Sequence, residues 1–171
     1  MLHLFSAWNR LHPIIVHFPV ILLLVAPVLV ILGSILPEAH REPFLGYALT
    51  LMVLGTCMTY VALATGEAAT KDVVYRSALN GPLQEHRSLA ETTSELFSVI
   101  TPVFALLLFA HRLLRHKLDA WVRTSLFAAF LLFYGTGAVL LVDTALKGSR
   151  VVKVLGSQWA ARSSLPGKGA R

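Results

Sequence analysis

The chain has 171 residues, of which 56% are hydrophobic and only 14% charged, with a net charge of +6 and a single cysteine. A soluble domain of this length could not bury so much apolar surface, and soluble domains are about one quarter charged. The lone cysteine excludes an internal disulfide and a multi-cysteine zinc site. Nothing in the pattern of basic residues indicates a nucleic-acid-binding face. The composition therefore predicts a protein that faces lipid.

Four long apolar segments account for most of this hydrophobicity, at about residues 14–36, 44–66, 93–114 and 124–146. Crossing a bilayer takes about 20 residues of helix. We predict an all-α integral membrane protein, a four-transmembrane-helix bundle with both termini on the same side. An N-terminal arm (1–13) precedes the membrane domain (14–146). A basic C-terminal tail (147–171), partly disordered, follows it.

The stretch LHPIIVHFPV, which begins at Leu11, opens the first span with two histidines and two prolines. Because proline removes a helical hydrogen bond, Pro13 and Pro19 predict a break or bend at this entry. His12 and His17 are five residues apart and point about 140° away from each other on a regular helix, so they cannot share one metal there. We expect His12 to precede the helix and His17 to face the bundle interior. A histidine in that position is a functional candidate or a structural hydrogen-bond partner.

The second and third spans each begin or end in a polar motif. In ATGEAATKD we expect Gly66 to end the second helix in a left-handed cap and to leave Glu67 at the interface. In the third segment Pro82 suits the first turn of a helix that begins well before its apolar part. That helix carries EHRSLAETTSELF, with His86 above the membrane surface, and we expect a kink at Pro102.

Histidines and carboxylates collect on the side of the membrane that carries the termini. Imidazole and carboxylate groups bind transition metals, and axial histidine is a common haem ligand. The candidate haem or metal ligands are His17, His86, His12 and Glu67, with Glu91, Glu95 and Asp143 as a supporting polar cluster. The candidate cofactors are haem b or a single transition metal. The alternative is that the same histidines bond to backbone near the prolines and are structural.

Three of these motifs, HPIIVHFP, TGEAA and EHRSLAE, resemble an uncharacterised bacterial membrane-domain family known as domain of unknown function family 2231. The resemblance covers roughly residues 11–146, and the octapeptide is its most specific part. It implies about four spans in a bacterial inner membrane. The family's motif positions fall on His12, Pro13, His17, Phe18, Pro19, Gly66 and His86. Related domains occur with c-type cytochromes, which implies a redox setting, although this chain has no Cys-x-x-Cys-His motif of its own.

Two functions remain open from the sequence. No phosphate loop, nucleophile elbow or His-Glu-x-x-His motif indicates an enzyme. The first function is a non-catalytic subunit or accessory protein of a membrane complex, with the lipid bilayer and other membrane or cytochrome subunits as partners. The second is a b-type haem or metal-binding electron-transfer protein.

Most Lys and Arg residues lie on the side of the termini, which favours cytoplasmic termini, whereas a link to c-type cytochromes favours the opposite orientation.

Overall fold

The computed structural model describes residues 11–70, 80–114 and 119–163. Within them, the chain forms four long helices, which we number α1 (His17–Ile35), α2 (Glu38–Thr70), α3 (Asn80–Leu114) and α4 (Ala120–Ser163). A short helical segment at residues 11–15, the entry segment, precedes α1 and is separated from it by a turn at Val16. The predicted four-helix membrane fold is confirmed for this part of the chain. Residues 1–10 of the arm and the end of the tail lie outside the described residues.

The four helices pack in a ring in which each contacts two others. The pairs are α1 with α2, α2 with α3, α3 with α4, and α4 with α1. Every helix contributes large side chains to one core, among them Leu23, Met52, Phe104 and Tyr134. The aromatic rings of this core lie in contact, with centroids 4.9 Å apart for Phe104 and Phe130.

The outer surface of the bundle is apolar. All four helices are long and apolar enough to cross a membrane, and the span that includes the entry segment has a mean hydropathy of 2.9. Large hydrophobic side chains point outward along each helix, and Leu132 on α4 is 78% exposed. In water this surface would be costly, because each Å² of exposed apolar area costs about 25 cal/mol. The chain is therefore an integral membrane protein whose outer face meets lipid.

Glycines let α1 and α2 approach closely. An added Cβ at Gly55 of α2 would lie 2.6 Å from Cγ of Leu23, and one at Gly33 of α1 would lie 2.9 Å from Leu45. Such distances leave no room for a methyl group. Small residues at contact points are how membrane helices gain packing energy without a hydrophobic driving force between them.

Proline shapes α1 at its centre as well as at its entry. Pro27 has no N–H, so the carbonyl of Leu23, four residues earlier, lacks its helical donor. The hydroxyl of Tyr134 on α4 donates to this carbonyl at 2.5 Å. The bond satisfies a polar group in the apolar interior and ties α1 to α4.

The helix boundaries partly confirm and partly correct the sequence predictions. α3 begins at Asn80 and has Pro82 in its first turn, as expected. Gly66 does not end α2: the helix continues to Thr70, and no described glycine has a positive φ. α4 also continues through residues that we assigned to the tail, as far as Ser163.

Candidate functional site

Five polar residues lie at one end of the bundle, which we call the histidine end, in two hydrogen-bonded groups. One group is His12 with Thr65, the other is His86 with Thr93 and Thr144, and we call the five residues the polar layer. They come from the entry segment, α2, α3 and α4. At the opposite end, Arg41 of α2 donates to the Gly33 carbonyl at the end of α1, and Arg112 of α3 faces Glu42 at 3.7 Å.

His12 joins the entry segment to α2. Its Nδ1 lies 3.1 Å from the hydroxyl of Thr65, which itself lies 3.0 Å from the carbonyls of Val61 and Ala62. The hydroxyl of Thr65 donates to the carbonyls of its own helix, and its oxygen can accept from Nδ1 of His12 when that nitrogen carries the ring proton. The imidazole packs on Gly66, where an added Cβ would lie 3.0 Å from the ring. This glycine therefore makes room for His12 and does not end the helix.

His86 joins α3 to α4 in the same way. Its Nδ1 donates to the carbonyl of Thr144 at 3.0 Å. The ring packs on Gly148, where an added Cβ would lie 2.9 Å from Cε1. Thr93, one further turn along α3, adds a hydroxyl contact of 2.9 Å to the hydroxyl of Thr144.

The two imidazoles are held in different ways. In His86, Nδ1 carries the proton because it donates to a carbonyl, so Nε2 of the neutral ring is an acceptor, and it has no hydrogen-bond partner among the described residues. His12 contacts the Thr65 hydroxyl through Nδ1 and also forms a hydrogen bond to the backbone of Ala62. His12 and His86 lie within range of a Coulombic interaction. A ring held through Nδ1 with Nε2 unbonded is also the arrangement of histidines that bind metals.

His17 lies elsewhere, which corrects our expectation that it faces the interior. It is exposed on the outer face of α1, and its Nδ1 donates to the carbonyl of Pro13 at 2.7 Å. The turn at Val16 falls one helical turn before Pro19, which confirms the predicted break at the entry. His12 belongs to the helical entry segment and does not precede the helical structure. His12 is part-buried and His17 is exposed on either side of this break, so the predicted inward position of His17 is wrong.

The carboxylates of the histidine end are paired with cations. Arg87 on α3 donates to Glu67 at 2.5 Å and to Glu91 at 2.8 Å. Lys147 on α4 contacts Glu85 at 2.6 Å and Asp143 at 3.3 Å. These contacts link α2, α3 and α4 around the polar layer.

Glu95 is the exception in the supporting cluster. It is exposed on the outer face of α3, and the described residues offer it no ion pair. Among the residues that the structure describes, no group of three or more His, Cys, Asp or Glu side chains is placed to hold a metal ion. The structure therefore does not bring together the predicted set of His17, His86 and Glu67.

Sequence reasoning missed the partners of the histidines. Thr65 and Arg87 lie inside the motifs that we singled out, next to Gly66 and His86. Thr144, Lys147 and Gly148 lie in the fourth helix, where no motif drew attention to them. Their spacing of three and four residues places them near one another on one side of α4, which was a usable signal.

Comparison with known proteins places the chain in a family of unknown activity. No curated protein and no solved structure matches it. One family model, described as "Predicted membrane protein (DUF2231)", matches residues 9–160. That range contains the entry segment, all four apolar spans and every member of the polar layer, so the chain belongs to this family.

Proposed function

We propose that the protein is a non-catalytic subunit or accessory protein of a bacterial inner-membrane complex. The observation that carries this proposal is that His12 and His86, which are both part-buried, each form a hydrogen bond to a neighbouring helix. His12 bonds to Thr65 and His86 bonds to Thr144, and each ring packs so closely on a glycine that an added methyl group would require a shift. The polar layer thus fastens the helices to one another within the chain.

The carboxylates support the same function. Glu67 was a candidate ligand, but it forms an ion pair with Arg87, which also pairs with Glu91, and Lys147 pairs with both Glu85 and Asp143. Cations that face carboxylates across helices hold those helices in register. The partners of such a module are the lipid bilayer and further membrane or cytochrome subunits.

A second function is favoured by one observation, the state of the two imidazoles. His12 and His86 come from different helical segments and are close enough to interact electrostatically, and Nε2 of His86 has no hydrogen-bond partner among the described residues. Two such histidines could serve as axial ligands of haem b or as two of the ligands of a single transition metal. His12 and His86 replace the pair of His17 and His86 as the candidates.

An absorption spectrum of the detergent-purified protein, oxidised and dithionite-reduced, decides between the two functions. Metal analysis is made on the same sample. The accessory function predicts no stoichiometric haem or metal, a fold retained in buffer with a chelator, and recovery with a second membrane protein at a fixed ratio. A haem band at one per chain that disappears in both His12→Ala and His86→Ala, but not in His40→Ala, would establish the cofactor function instead. His40 is an exposed histidine at the opposite end and serves as the matched control.

A further inference from the structure

The outer face of α1 carries a groove of about 410 Å³ around His17. Its lining consists of this histidine and of apolar residues: Pro13, Ile14, Phe18, Ile21 and Leu22. The groove lies on the exterior of the bundle, away from the polar layer, and opens toward lipid. It is a separate feature from the histidine pair on which the proposed function rests.

The hydrogen bond to Pro13 fixes what His17 can offer a ligand. The Pro13 carbonyl accepts only, so Nδ1 of His17 donates to it at 2.7 Å and carries the ring proton. Nε2 of the neutral ring is then a lone-pair acceptor. Within the described residues it has no hydrogen-bond partner. The groove therefore presents one acceptor in an otherwise apolar surface.

The position of His17 along α1 determines the kind of molecule that reaches it. The first span, Leu11–Ile35, has 25 residues, which at 1.5 Å per residue extend about 38 Å, somewhat more than the hydrocarbon core of about 30 Å. His17 is about 9 Å from the start of this span, so with the span centred it lies a few ångströms inside the hydrocarbon boundary, where a polar head attached to an apolar tail is placed. An acceptor left without a donor in apolar surroundings is unfavourable, so the site selects a molecule that brings a donor.

We propose that this groove binds a lipid-soluble quinol, with one ring hydroxyl donating to Nε2 of His17. The ring of Phe18, 53% exposed, and the flat face of Pro13 suit an aromatic head group. The exposed side of α1 beyond Ile21 provides an apolar surface for the tail. A quinone of the same skeleton carries only acceptors where the quinol carries hydroxyls, so the site discriminates in favour of the reduced form. Binding is the whole of this proposal, and it involves no electron transfer.

The test is equilibrium binding of decylubiquinol and of decylubiquinone to the full chain in phosphatidylcholine nanodiscs without oxygen. We expect saturable binding of the quinol that is roughly tenfold tighter than that of the quinone, as one hydrogen bond allows. His17→Phe, which keeps the groove apolar and removes the acceptor, should abolish this preference. His40→Phe, at the opposite end, should leave it unchanged. Ile21→Trp should weaken binding of both forms by filling the groove while the imidazole remains.

Several results would overturn the proposal. Equal affinity for the two forms, or an unchanged preference in His17→Phe, would show that Nε2 does not recognise the hydroxyl. Absence of saturable binding would show that lipid or another part of the chain covers the groove. Displacement of the quinol by added phosphatidylglycerol at membrane concentrations would assign the acceptor to a lipid hydroxyl. The spectrum that tests the proposed function reports on His12 and His86 and is independent of these results.

Discussion

At the scale of single residues, the clearest determinant of the fold is the carbonyl of Leu23. Pro27 leaves it without a helical donor, and Tyr134 supplies one from α4. We predict that Tyr134→Phe lowers the free energy of unfolding by about 1–2 kcal/mol, because an acceptor in the apolar interior is left unpaired. Unfolding of the purified protein in mixed micelles with increasing SDS measures this change.

A second tyrosine provides the control for that measurement. Tyr60 on α2 contacts the hydroxyl of Ser98 at 2.8 Å but is 48% exposed, and Ser98 also donates to the Ser94 carbonyl. Tyr60→Phe should therefore lower the free energy of unfolding by less than Tyr134→Phe does. Equal losses in the two variants would contradict the role that we assign to the carbonyl of Leu23.

Which of the two entry histidines faces the interior could not be predicted from the sequence. The octapeptide identified His12 and His17 as the residues of interest, and the two prolines predicted a break between them. Which histidine turns inward depends on the angle of the break at Val16 and on the position of Gly66 on the neighbouring helix. Neither the angle nor the position of a glycine on a different helix can be derived from the spacing of residues within one segment.

At the scale of helices, the contact between α1 and α2 depends on glycines placed at particular turns. We predict that Gly55→Ala destabilises the protein by about 1–3 kcal/mol, because the new methyl group would lie 2.6 Å from Leu23 and must push the helices apart. Gly46→Ala on the same helix is the matched control, since nothing lies within 4 Å of its added Cβ. That variant should be neutral or slightly stabilising through higher helix propensity. Unfolding in SDS measures the free energy of unfolding of both variants, and similar decreases would contradict a specific contact at Gly55.

The helices themselves were largely predictable, and the reason is the length of their apolar runs. The membrane requires about 20 apolar residues per span, and this requirement overrides local propensity. It does not determine where a helix ends outside the lipid. α2 therefore continues through Gly66, where the ring of His12 packs against it, to Thr70. α4 continues into the expected tail, with contacts to α3 at Thr144, Lys147 and Gly148.

At the scale of the whole molecule, the distribution of positive charge predicts an orientation in the membrane. Most Lys and Arg residues belong to the segments at the histidine end and in the tail, which favours placing this end in the cytoplasm. We predict that a C-terminal green fluorescent protein fusion is fluorescent in bacterial cells, because this reporter folds in the cytoplasm and not after export. An alkaline phosphatase fusion at the same position should be inactive. An active phosphatase with a dark fluorescent fusion would reverse the orientation.

The length of α4 has a consequence for how the molecule meets its surroundings. Its 44 residues extend about 66 Å, more than twice the thickness of the hydrocarbon core. α3, with 35 residues, accompanies it at the histidine end, and the contacts of His86 with Thr144 and of Glu85 with Lys147 join the two. At this end α3 and α4 run side by side, and α4 continues to Ser163 beyond the contacts that join it to α3. A helix of this length cannot fit within the hydrocarbon core, so a protein that approaches from the aqueous phase on this side would meet it before the bilayer.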